Sequence, residues 1–135
     1  MKDEVMQAIV FDTPGGSEVL RIGEVPIPIP GEKQVRVKVA AAGVNRADIL
    51  QRKGKYPPPP GASPILGLEV SGIIESVGKG CVKWKTGDRV MGLLSGGGYA
   101  QYVIVHEDMV MPVPGLINLG QAAAIPEVFL TAYQS

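Results

Sequence analysis

Glycine and proline break this chain so often that many short strands joined by tight turns suit it better than a few long helices: eighteen glycines and twelve prolines fall among 135 residues. Proline removes a backbone donor and fixes φ, and glycine admits the left-handed region, so both mark turns rather than element interiors. Turn signals stand at Pro14-Gly15-Gly16, Pro30-Gly31, Gly78-Lys79-Gly80, Thr86-Gly87-Asp88 and Gly96-Gly97-Gly98. Between them, Val35-Arg36-Val37-Lys38-Val39 alternates apolar with charged, which puts three valines on one face of a strand. Met6 to Phe11, Val19 to Val25, Val70 to Val77, Arg89 to Leu93 and Tyr99 to Val105 read as further strands. The fold expected is mainly β with short helices, and so many strands in one small domain predict a closed or partly open β-barrel.

Two segments carry helical signals. Asn45 to Arg52 is short, with Asn45 able to cap its first turn and Ile49 and Leu50 expected to face inward. The second begins near Asn118, where Gln121-Ala122-Ala123-Ala124 has high helix propensity and Pro126 is expected to bend or split it. It reaches Ala132-Tyr133-Gln134-Ser135 without the glycine, asparagine or basic last turn that closes helices, so the carboxyl end reads as a cut.

Charge and apolar patterning exclude several partners. Thirteen basic and thirteen acidic residues sum to zero net charge, which offers no basic face for nucleic acid or anionic lipid. No apolar run approaches the roughly 20 residues needed to span a bilayer, and Met1-Lys2-Asp3-Glu4 lacks the apolar core of a secretory signal. A soluble, cytoplasmic protein without a membrane partner is expected. Cys81 stands alone and cannot form an internal disulfide, in keeping with a reducing compartment. His106 is the one histidine, so a histidine-rich metal site is ruled out and His106 reads as a surface residue.

Some motifs fail on a single residue. Gly78-Lys79-Gly80 begins like a dinucleotide fingerprint, but Lys83 stands where the third glycine is required. Ser95-Gly96-Gly97-Gly98 lacks the lysine and hydroxyl of a phosphate loop and reads as a flexible hairpin turn. Pro57 to Pro60 reads as a stiff exposed connector.

The order and spacing of the remaining motifs are specific. Val44-Asn45-Arg46-Ala47-Asp48, Gly54-Lys55-Tyr56-Pro57-Pro58-Pro59-Pro60-Gly61, Gly67-Leu68-Glu69-Val70-Ser71-Gly72, Gly87-Asp88-Arg89-Val90 and Ala123-Ala124-Ile125-Pro126 follow one another along the chain. Together they resemble the amino-terminal catalytic domain of the medium-chain dehydrogenases/reductases, and within them the zinc-free quinone oxidoreductases of the p53-inducible, zeta-crystallin-like kind. The resemblance implies a GroES-like, partly open β-barrel over residues 1–117. Residues 118–135 would start an interdomain helix leading to a Rossmann cofactor domain that lies outside this sequence.

It also implies a chemistry. Zinc-dependent relatives carry histidine at the Leu68 position and cysteine at the Asn45 position, and neither leucine nor an amide replaces those ligands. The implied reaction transfers a hydride from NADPH to a quinone without metal, with hydrogen-bond donors in place of a Lewis acid. Asn45 and Tyr56 match positions bordering the nicotinamide and substrate cleft and are the expected catalytic and cofactor-binding residues, each able to donate without changing charge. Thr131 matches a position near the nicotinamide. For Asn45 a helix cap, for Tyr56 an apolar plug, and for Thr131 a hydroxyl bonded to the preceding turn stay open as alternatives. Asp48 is read as structural or catalytic alike, and Glu69 as holding a loop or pairing with a cation rather than moving a proton. The whole protein would act on a small-molecule quinone or activated carbonyl, as a homodimer. Enone or enoyl reduction, or a non-enzymatic binding module on the same barrel, are the alternatives.

Overall fold

The computed structural model describes residues 4–55, 57–58, 60–115 and 117–123. These residues form two antiparallel sheets and two short helices. Strands β1 (Val5–Val10) and β2 (Arg21–Pro26) form the smaller sheet, Val5 opposite Pro26 at one end and Val10 opposite Arg21 at the other. The larger sheet contains β3 (Gln34–Ala42), β4 (Glu69–Val77), β5 (Arg89–Leu93), β6 (Tyr102–His106) and β7 (Val110–Pro112), in the order β6-β3-β4-β5-β7. Helix α1 (Arg46–Arg52) lies between β3 and β4, and α2 (Leu119–Ala122) follows β7.

The alternation in β3 builds the core directly. Val35 and Val37 are wholly buried and meet Val70 and Ile74 of β4, Val90 of β5, and Val103 and Val105 of β6. Each such side chain contributes roughly 1.5–3 kcal/mol by leaving water. On the opposite face, Arg36 grips the Glu75 carboxylate with two hydrogen bonds (2.6 and 3.1 Å) and stands 5.7 Å above the Tyr102 ring. Two register shifts in the β3–β4 ladder, at Arg36/Val37 and Val39/Ala41, mark bulges that bend the sheet.

The sheets meet along one short seam. Ala8 bridges Ala100, the Ile9 amide donates to the Tyr99 carbonyl (2.8 Å), and the Gln101 amide donates to the Gln7 carbonyl (3.1 Å). The sheet is not closed, so the barrel is the partly open kind. Between its sheets lies a cavity of about 750 Å³, lined on its apolar side by Met6, Val10, Val25, Ile65, Val103 and Val105.

Several expectations need correction. Val19 belongs to a 3₁₀ turn (Ser17–Val19), so β2 begins only at Arg21. The short strand β7, with its proline, carries too little pattern to be read from sequence. Gly96-Gly97-Gly98 is not a hairpin turn: Gly97 and Gly98 are buried, and their amides donate to the carbonyls of Ile65 and Gly67. Helix α1 buries Asp48 and Gln51 rather than Ile49, which is 38 % exposed, because it packs on polar loop backbone and not on the valine core. His106 is exposed, as read. In α2 the Asn118 side chain accepts from the Gln121 amide (2.7 Å), Ala122 packs against Met91 and Val113, and the Ser71 hydroxyl donates to the Leu119 carbonyl. The helix expected beyond Ala123, with Pro126, lies outside the described residues.

Candidate active site

Asn45 sits in extended conformation (φ −123°, ψ 158°) at the start of α1, half-buried. Its sequence neighbour three residues on, Asp48, closes the first turn: the Asp48 amide donates to the Asn45 carbonyl (3.0 Å), and the Asp48 carboxylate accepts from the Asn45 amide (2.9 Å). Asp48 is only 2 % exposed, and its carboxylate reaches well beyond the helix. One oxygen takes the Gly67 amide (3.1 Å) and the other also takes the Tyr99 hydroxyl (2.9 Å). Hydrogen bonds to a charged acceptor contribute roughly 1.5–3 kcal/mol each, so this carboxyl joins three chain segments.

Glu69 opens β4 and is equally buried. Its side chain accepts from the Asn45 side-chain amide (3.2 Å), and its carbonyl from the Gly43 amide (3.0 Å). Asn45 is thus held at its backbone by Asp48 and at its side chain by Glu69. Leu68 stands between the two acids' anchor points, half-buried, with its carbonyl bonded to the Leu94 amide (2.7 Å). The turn before it needs glycine: Gly67 has φ +112°, and a Cβ there would come within 2.6 Å of the Gly98 Cα.

Tyr99 is part of this network, and the sequence did not reveal it. Burial, then the hydrogen bond to Asp48, push the Tyr99 hydroxyl above the ordinary tyrosine range, so it stays protonated and keeps donating. Its only local signal was a tyrosine directly after three glycines, read as the start of a strand. Asp48 and Glu69 have hydrogen-bonding roles, and Asn45 is where their bonds converge. Tyr56 and Thr131 lie outside the described residues. Among the described residues, no group of three or more His, Cys, Asp or Glu side chains is arranged to hold a metal ion, and no helix is long and apolar enough to cross a membrane.

Residues 31–115 match the alcohol dehydrogenase GroES-like domain. The chain belongs to that family. It lies within the medium-chain dehydrogenases/reductases, as the motifs suggested. This GroES-like domain is 40 % identical over 133 residues to the quinone oxidoreductase of Lama guanicoe, a match covering 97 % of the chain and 40 % of that protein. Among solved structures, it superposes on the human synaptic vesicle membrane protein VAT-1 homolog-like protein with a TM-score of 0.89 at 32 % identity, covering 96 % of this chain and 42 % of the other. The Escherichia coli quinone oxidoreductase complexed with NADPH gives 0.79 at 36 % identity, with coverages of 87 % and 36 %. The CurK enoyl reductase gives 0.84 at 28 % identity, with coverages of 96 % and 41 %. The domain therefore spans about 40 % of the length of the quinone oxidoreductase it matches.

Proposed function

We propose that the protein carrying this domain reduces quinones with NADPH and without zinc. The observation that carries the reading is an intact frame with altered contents: Asp48 and Glu69 hold the start of α1, while an amide, Asn45, and an aliphatic side chain, Leu68, occupy it. That donor set suits an uncharged hydrogen-bonding role and not metal ligation.

The described residues fit the reactive end of a nicotinamide cofactor and not its phosphates. Asn45 offers a fixed amide, whereas no stretch of this chain supplies the glycine turn that cradles a pyrophosphate. NADPH, when bound, would supply the hydride, and a proton taken from solvent would complete the hydroquinone. Asn45 stabilises the substrate oxygen as negative charge grows on it. Its amide carries two N–H donors, of which Glu69 takes one, and the other is the donor assigned to substrate. Quinones need little more, because aromatisation drives the electron pair into the ring. Tyr56 is assigned to the same cleft as a second donor and Thr131 to the nicotinamide, both on the strength of the family resemblance.

The test is NADPH consumption by the whole protein with a quinone acceptor. Chelator should leave the rate unchanged, and Asn45→Ala should lower kcat by roughly 10²-fold, the effect of removing one oxyanion donor. A protein that oxidises no NADPH with quinones, or loses its rate to chelator, would overturn the reading. Enone reduction is a second reading, supported by the likeness to an enoyl reductase. The ratio of kcat/KM for a quinone and an enone separates the two.

A further inference from the structure

We propose that Tyr99 is a positioning residue for Asn45, acting through Asp48. The inference rests on the role assigned to Asn45 above. Tyr99 lies 54 positions beyond Asn45 in sequence, yet one carboxyl joins them. The same Asp48 oxygen accepts the Tyr99 hydroxyl (2.9 Å) and the Asn45 amide (2.9 Å). Tyr99 is itself fixed by its backbone on both sides: its amide donates to the Leu66 carbonyl (2.9 Å), and its carbonyl accepts from Ile9 of β1 (2.8 Å). The adjacent Gly98 amide bonds the Gly67 carbonyl (3.1 Å), so the strap carrying Tyr99 and the turn donating to Asp48 are held together.

The hydroxyl therefore ties the Asp48 carboxyl to a chain segment outside α1. Without it, Asp48 keeps Asn45 and Gly67 as donors but loses the contact that ties it to the strap. The carboxyl is then held by two donors instead of three, and its grip on the cap residue loosens. The Tyr99 hydroxyl donates to Asp48 in the first turn of α1 and not to the Asn45 side chain. Its influence runs through the geometry of Asn45.

Tyr99→Phe in the whole protein keeps the ring and removes only the hydroxyl. It should lower kcat by about tenfold with KM little changed, as expected for a small misplacement of a catalytic group. The same substitution made in an Asn45→Ala background should have no further effect. An equal loss in both backgrounds would overturn the proposal, because Tyr99 would then act independently of Asn45. A second readout does not depend on turnover: the Asn45 side-chain amide resonances in a ¹H–¹⁵N spectrum, assigned by their disappearance in Asn45→Ala. These should shift in Tyr99→Phe, and unmoved resonances would overturn the proposal. If Asn45→Ala leaves quinone reduction unchanged, the functional reading fails, and the resonances alone still decide whether Tyr99 positions Asn45.

Discussion

A methyl group added at Gly67 would meet the Gly98 Cα at 2.6 Å and the Tyr99 amide nitrogen at 2.7 Å, on a backbone already at φ +112°. Both contacts are backbone, which cannot swing aside as a side chain can. Gly67→Ala should therefore destabilise the fold by at least about 2 kcal/mol, read as a lower urea midpoint with an unchanged slope. A second residue-scale prediction concerns alkaline pH. The Tyr99 pKa is higher in the folded chain than in the unfolded one, so its contribution is fully present below the ordinary tyrosine value near 10 and is lost as pH rises beyond it. Wild type should lose more stability than Tyr99→Phe between pH 9 and 11 (roughly the span around that value), measured by denaturant titration at each pH. At this scale the sequence was legible where a motif is local. Asn45 and Asp48 form a four-residue capping pattern, and Leu68 stands in a six-residue frame. Tyr99 escaped because its partner is 51 residues away, and no short pattern records such a contact.

Among the elements, periodicity served the strands better than the helix. β3 alternates valine with charge because one face meets a continuous apolar core, so each buried position is written in hydrophobicity. Bulges and β7 were not legible, since a bulge changes pairing without changing composition. In α1 the inward face is polar: Asp48 serves the Gly67 amide, and Gln51 reaches the Pro64 carbonyl at 3.4 Å. Hydrophobicity pointed to Ile49 for that reason, and wrongly. The contrast gives a paired prediction. Ile74→Ala, at a wholly buried site in β4, should cost about 3 kcal/mol, and Ile49→Ala less than about 1 kcal/mol, both by urea denaturation.

At the scale of the whole molecule, the domain matches only 40 % of the length of its quinone oxidoreductase relative. Under the proposed function, the 135-residue chain by itself should show no quinone-dependent NADPH oxidation above a protein-free blank, while the whole protein does in the same assay. Turnover by the short chain would mean that the cofactor needs no more than this barrel. The mainly β, partly open barrel was legible in the turn spacing, whereas the seam between its sheets was not, because it is made mostly of backbone bonds at Ile9, Ala100 and Gln101. That seam sets an order of breathing. Amides of β3 and β4 lie in the middle of the larger sheet and should exchange with solvent only through global unfolding, whereas those of β1 and β2 can exchange when the pair swings away as a unit. The strap that would give way carries Tyr99, so each such opening would also slacken its hold on Asp48. How often the small sheet lets go would then set how long the tip of α1 stays assembled.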